Sequence, residues 1–148
     1  MTTKPHINGI MAQIGRIRER AALFIERELQ NEEIHGILSA HGIIFFYLFQ
    51  QQQPVPMKEI VEKTGRVKST VTGMINTLEQ HGYVEKKQSP EDRRVILVQL
   101  TEKGRSIRPA FENISTRLLE KIFGDMPDGD RETLVQLLSQ VGMNLGLS

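Results

Sequence analysis

Residues 56–82 constrain the fold of this chain more than any other segment. A first run of apolar residues at helical spacing is followed by Gly65, the expected cap of a short helix. A second helix is predicted to begin at Arg66, with Gly82 as its cap. Two helices joined by a turn of about three residues are typical of a helix-turn-helix. The apolar, inward face of the second helix is predicted to comprise Val67, Val71, Met74, Ile75 and Leu78.

A β-hairpin is predicted directly after the second helix. Residues 83–88 and 95–100 are β-rich, and residues 89–94 (SPEDRR) between them hold a proline and four charges. Thr101 can then cap a further helix, inside which Pro109 should cause a kink or a restart.

The regions before and after this block are predicted to be helical. Apolar residues recur every three or four positions from Ile7 to Phe24, a stripe that suits packing against another helix, including one from a second chain. Two further stripes run over residues 107–122 and 134–145. The run 42–49 (GIIFFYLF) is ambiguous, because eight apolar or glycine residues suit a buried strand or a buried helix.

The charge distribution places an anionic partner opposite the middle of the chain. Residues 56–105 carry ten Lys/Arg and seven Asp/Glu, a net charge of +3, whereas the rest of the chain has a net charge of −2. A solvated surface of mixed charge is the alternative interpretation. The chain has no cysteine, which excludes disulfides, thiolate zinc sites and thiol-based sensing.

Other function classes find little support in the sequence. No apolar run is long enough to cross a membrane and no apolar signal core starts the chain, so we expect a cytoplasmic protein without a membrane partner. The histidines, at positions 6, 35, 41 and 81, lack the spacing of metal ligands, and no phosphate-binding or catalytic motif occurs. We therefore expect no metal, no cofactor and no enzymatic activity, although turnover of phenolic anions would support an enzyme.

The outward face of the second helix suits a polyanion. It combines hydroxyls, one amide and one lysine and has no carboxylate before Glu79. At the hairpin tip, Arg93 or Arg94 can extend into a minor groove, and Asp92 can pair with one of them and fix the loop. The outward residues of the helix are Lys68, Ser69, Thr70, Thr72, Asn76 and Thr77.

Four short motifs follow one another between residues 64 and 104. They read TGRVKSTVT at 64–72, LEQHGYV at 78–84, EDRR at 91–94 and LTEKG at 100–104. Together they resemble the MarR family of winged helix-turn-helix transcription regulators. The Asp-x-Arg wing followed by Leu-Thr at the start of the next helix is the most specific part of the resemblance.

The resemblance implies a mainly α-helical fold with a small β-hairpin wing, in which a winged helix-turn-helix lobe lies on an all-helical dimerisation layer. It implies an N-terminal dimerisation helix over 1–36, a DNA-binding lobe over 37–105 and C-terminal dimerisation helices over 106–148, within one compact domain. It also makes the run 42–49 helical. The implied function is a sequence-specific, homodimeric repressor that binds a pseudo-palindromic operator. The alternative is a winged-helix module that joins proteins, without an effector or an operator.

Site residues are also implied by the resemblance. Gly73 departs from the family pattern, since relatives often carry a larger polar or basic residue there. Many relatives bind small aromatic or phenolic anions in a crevice between the two layers, and such an effector can release the operator. The DNA-contacting residues would be Arg66, Lys68, Ser69, Thr70, Thr72, Asn76, Arg93 and Arg94. The residues lining the crevice would be Ile14, Ile17, Arg18, His41, Phe45 and Phe46.

Overall fold

A computed structural model describes residues 7–148, and residues 1–6, which include His6, lie outside the described part. The fold is mainly α-helical with a small antiparallel sheet, as the sequence predicts. After a 3-10 turn at Ile7–Gly9, the helices are α1 (Ile10–Asn31), α2 (Gly42–Phe49), α3 (Met57–Thr64), α4 (Lys68–Gln80), α5 (Glu102–Ser106), α6 (Arg108–Phe123) and α7 (Asp128–Asn144), with a second 3-10 turn at Ser39–His41. The strands are β1 (Val55–Pro56), β2 (Val84–Gln88) and β3 (Ile96–Leu100).

The chain forms two compact units, Met1–Ile114 and Ser115–Ser148. The core of the first unit is built from the inward faces of α2, α3, α4 and the sheet, and Ile44, Phe45 and Leu48 contribute to it from α2. The spacing of these three residues is helical, which resolves the ambiguity of the run 42–49. Phe45 lies at the centre of an aromatic cluster, with its ring centroid 4.9 Å from that of Phe111 and 5.8 Å from that of Tyr83.

The sheet has three strands in the order β1-β3-β2, all antiparallel. The hairpin of β2 and β3 is the predicted wing, with Val84 opposite Leu100 and Gln88 opposite Ile96. Sequence periodicity missed β1, because two residues are too few to show an alternation. Pro56 in β1 has no N–H to donate and is therefore suited to an edge strand.

Two helix ends in the C-terminal half of the lobe follow from local signals in the sequence. The Thr101 hydroxyl accepts a hydrogen bond from the Gly104 N–H over 3.1 Å, so the predicted cap is confirmed. The restart at Pro109 is also confirmed, since α5 ends at Ser106 and α6 begins at Arg108. The predicted start of α4 is wrong by two residues: Arg66 lies in the turn, and the helix begins at Lys68.

The second unit contains the C-terminal part of α6, a turn and α7. Helix α7 has no buried residue in the described chain, and several of its large apolar side chains are more than half exposed. These are Val135, Leu137, Leu138 and Met143, with Leu145 and Leu147 just beyond the helix. Within residues 7–148, no helix combines the length and the apolar character needed to cross a membrane.

Candidate nucleic-acid interface

Helix α4 is anchored by its inward face and by a tight turn before it. Val71, Ile75 and Leu78 are fully buried. Gly65 adopts the left-handed conformation, with φ of 65°, and donates its N–H to the Val61 carbonyl over 3.1 Å. An L-residue with a side chain would be strained there, so glycine permits the reversal that separates α3 from α4. The helix-turn-helix predicted from the sequence is present.

Val67 contradicts the inward face predicted for α4. It is the N-cap residue, with extended dihedral angles of −64° and 139°, and it is 70% exposed. The cause is that the helix begins one residue later, so the helical spacing that joins Val67 to Val71 does not apply to its side chain. No side-chain hydrogen bond caps α4 in the described structure. A valine at this position forgoes roughly 1 kcal/mol that a polar cap typically gives.

The predicted outward residues of α4 differ in what they can still bind. Lys68, Ser69 and Thr70 are exposed on the first turn. The Thr72 hydroxyl donates to the Lys68 carbonyl over 2.9 Å, and the Thr77 hydroxyl donates to the Gly73 carbonyl over 3.1 Å. Both hydroxyl protons are therefore used within the helix, and these two oxygens are left as acceptors.

Asn76 is joined to the wing. The ammonium of Lys86, on β2, donates to the Asn76 side-chain oxygen over 2.6 Å and lies 3.3 Å from a Glu79 carboxylate oxygen. With its oxygen occupied, Asn76 presents its NH2 group, which is a hydrogen-bond donor. Sequence reasoning missed this role of Lys86, because the partners lie ten positions apart on different elements.

The wing tip is held by Asp92. Its carboxylate accepts from the Arg94 backbone N–H over 3.0 Å and from Nε and Nη2 of the Arg94 guanidinium over 3.2 Å each. These hydrogen bonds hold the pKa of Asp92 below its ordinary value, so the carboxylate stays ionised. Of the two arginines that the sequence leaves open as its partner, the structure pairs Arg94. The Arg94 side chain is nevertheless 90% exposed and can contact a second anion.

A groove of about 940 Å³ lies between α3, α4 and the wing. Among the described residues that line it none is acidic, and its floor includes Met57, Val61 and Ile96. Its cationic residues are Lys58, Lys68, Lys86, Lys87 and Arg94. Of these five, the sequence singled out Lys68 and Arg94; Lys58, Lys86 and Lys87 were counted only in the basic middle segment. A basic groove beside a helix with a hydroxyl-rich face is suited to a polyanion.

Five of the eight predicted DNA contacts do not line this groove: Arg66, Ser69, Thr70, Asn76 and Arg93. Arg93 is exposed on the wing, next to Arg94, but does not line the groove. Arg66, in the turn, lines a separate surface cavity of about 530 Å³ together with Arg18.

Of the six residues predicted to line an effector crevice, one lines the cavity around Arg66. Arg18 lines the cavity that it shares with Arg66, whereas Ile14 and Ile17 of α1 do not. Phe45 has no exposed surface and belongs to the core, and Phe46 is 39% exposed. The residues that do line this cavity are Gly15, Arg18, Glu19, Ala21, Ala22, Ile25, Ser39, Ala40, Ile43 and Arg66.

His41 is buried, with 6% of its surface exposed. The Leu38 N–H donates to its Nδ1 over 2.9 Å, which requires an unprotonated nitrogen. Burial is the main cause that lowers the pKa of His41 from 6.5, and the nearby His81 lowers it further. The ring is therefore neutral, and its hydrogen bond with Leu38 stabilises the Ser39–His41 turn. In the described part of the chain, no three His, Asp or Glu side chains converge as a metal site.

Comparison with known proteins finds a family match in the middle of the chain. The model of the MarR family matches residues 47–96, from the end of α2 into β3. This segment is MarR-like. MarR proteins are helix-turn-helix transcription regulators and not enzymes. The sequence led us to expect a helix-turn-helix regulator and no enzymatic activity, and the comparisons agree with both.

Individual MarR relatives are distant in sequence and close in fold. The transcriptional repressor NicR of Pseudomonas putida is 21% identical over 89% of this chain and 84% of its own. The S. aureus MepR–DNA complex has a TM-score of 0.81 with 17% identity, covering 95% of this chain and 99% of that one. Bordetella bronchiseptica BpsR, studied for regulation of its DNA binding by 6-hydroxynicotinic acid, has a TM-score of 0.74 with 20% identity, covering 96% of each chain.

Proposed function

We propose that this protein is a MarR-family regulator, a homodimeric repressor that binds a pseudo-palindromic operator. The observation that carries the proposal is the groove without acidic lining that joins α4 to the wing. Half-sites related by the two-fold axis of a dimer would lie one helical turn of DNA apart, on the order of 34–36 Å.

The predicted contact residues divide into two groups. Lys68, Ser69, Thr70 and Asn76 would meet base edges and phosphates in the major groove, where the first turns of a recognition helix lie, and Thr72 would act as an acceptor. The wing would place Arg94 in the minor groove, with Asp92 positioning it. Arg66 and Arg93 would bind the flanking phosphates.

The homodimer is supported by apolar surface outside the DNA-binding lobe. Leu137, Leu138 and Leu145 of the C-terminal segment are more than half exposed, as are Met11 and Ile17 of α1. Exposed apolar surface of this extent marks an interaction site. We therefore assign residues 1–36 and 106–148 to dimerisation and residues 37–105 to DNA binding. Since its target is chromosomal DNA, we also place the protein in the cytoplasm.

Release by a small anionic effector is supported by the cavity that Arg18 and Arg66 share. Arg18 and Arg66 outnumber the one acidic residue in its described lining, Glu19. Together with the apolar Ala22 and Ile43, they suit an aromatic carboxylate. Arg66 belongs to the turn before α4, so a ligand there can shift the position of the recognition helix. An aromatic carboxylate such as 6-hydroxynicotinate should raise Tm and weaken operator binding, and Arg18→Ala should abolish both effects.

Selection of bound sequences from a random DNA pool, with the purified full chain, tests the proposed function. The expected result is a palindrome with half-sites one helical turn apart, bound by a dimer. If no sequence is enriched, the proposal is refuted and a module that joins proteins is favoured. If only a monomer binds DNA, the proposed homodimer is refuted.

A further inference from the structure

Val67 is an apolar side chain at the start of the recognition helix. It is 70% exposed, although the fully buried Val71 lies only four positions further along the chain. The isopropyl group does not belong to the hydrophobic core or to the residues packed against it. As N-cap it offers no side-chain acceptor to the free N–H groups of α4, so valine does not stabilise this helix end by a hydrogen bond.

The neighbours of Val67 are the residues that the proposed function places against DNA. Lys68, Ser69 and Thr70 follow it directly, all exposed. The N-terminal residues of a recognition helix meet base edges in the major groove. Among the groups that the base edges present in that groove, the 5-methyl group of thymine is the apolar one, and small apolar side chains contact it.

We propose that Val67 is a specificity-determining residue that contacts the 5-methyl group of a thymine in each operator half-site. This inference rests on the proposed function, because it requires α4 to lie in the major groove. Val67 carries no charge, so its contribution is to the choice of sequence and not to the salt dependence of binding.

Replacing thymine by uracil in the selected operator tests the contact directly, because the exchange removes only the methyl group. Thymines are replaced one symmetric pair at a time, and Kd is measured for the unmodified chain and for Val67→Ser. Burial of one methyl group corresponds to about a fourfold change in Kd for each half-site. The unmodified chain should lose about this factor per half-site at one symmetric position.

Val67→Ser should bind the thymine and uracil operators equally at that position. Serine removes both methyl groups and is a better N-cap, so the variant should unfold at the same or a higher denaturant concentration, and lost discrimination cannot come from misfolding. Val67→Thr, which keeps one methyl group, should show intermediate discrimination. Arg93→Ala is the matched control: it should weaken binding to both operators and leave their ratio unchanged.

Different results would refute the role of Val67 and the proposed function. If the unmodified chain binds its selected operator but no thymine pair is sensitive to the exchange, or if Val67→Ser keeps the discrimination, this inference is wrong and the DNA-binding function stands. An operator without a symmetric thymine pair contradicts it equally. If the purified chain binds no duplex, the proposed function is wrong and the inference falls with it.

Discussion

Helix α4 and the wing differ in the polar groups that they can offer to DNA. The outward face of α4 between Lys68 and Glu79 carries hydroxyls, an amide and a glycine, and two of its hydroxyls are bound to the helix backbone. The wing and its approach carry Lys86, Lys87, Arg93 and Arg94. A helix with so little charge can bind only weakly to phosphates, whereas a cationic wing cannot distinguish one sequence from another by charge alone. We infer that the wing contributes most of the affinity for DNA and that α4 contributes the preference for one DNA sequence.

Arg94→Ala should have the largest effect on affinity. It removes the exposed guanidinium that Asp92 holds at the wing tip, and should cost about 1–3 kcal/mol of binding free energy, a rise in Kd of about fivefold to 150-fold. The dimer should stay intact in size-exclusion chromatography. Arg93→Ala is the comparison, and its smaller loss should come with a salt slope that is also less negative. Equal losses for the two variants would contradict the role of Asp92 in positioning Arg94.

Lys86→Met should come next, because it acts on both regions. It removes a groove cation, frees the Asn76 amide and leaves Glu79 without this partner, so we expect operator binding about tenfold weaker, with altered preference at the base that Asn76 faces. Lys87→Met is the matched control: it removes the same charge from the same groove, without the Asn76 hydrogen bond. Selection from a random pool with both variants measures the difference, and identical preferences would break the proposed link between wing and helix.

Gly73→Ala should separate folding from binding. Nothing lies within 4 Å of the position that a Cβ would take, so alanine should raise the free energy of unfolding by roughly 1 kcal/mol, measured by urea denaturation. Gly73 is centred on the outward face of α4, and we expect the added methyl group to weaken operator binding several-fold by blocking close approach of DNA. A variant that is more stable and binds equally well would show that Gly73 does not face DNA.

The smallest expected effect is the pH dependence of the free energy of unfolding that is due to His41. Its pKa is below 6.5 in the folded chain, so between that pKa and 6.5 the unfolded chain binds a proton that the folded chain does not. The free energy of unfolding should therefore fall as the pH falls below about 6.5. His41→Asn keeps an acceptor for the Leu38 N–H and should reduce this fall between about pH 7 and about pH 5.5.

Features of the structure that depend on one segment could be predicted from the sequence, and features that depend on several elements could not. The turn at Gly65, the cap at Thr101 and the wing strands follow from local chemistry that a single segment contains. The exposure of Val67 does not, because apolar spacing gives the inward face of a helix but not the residue at which the helix begins. The Lys86–Asn76 hydrogen bond depends on which elements meet in space, and periodicity carries no information about that.

The salt dependence of Kd for the unmodified chain on its selected operator, between about 50 and 200 mM salt, shows whether the groove binds DNA phosphates. Five cationic residues line the groove of the chain, which makes ten in the proposed dimer. If most of them bind phosphates, the logarithm of the association constant should fall linearly with the logarithm of the salt concentration, and affinity should drop by about a thousandfold or more over this range. A slope near zero, or no binding at the lowest salt concentration, would contradict the account.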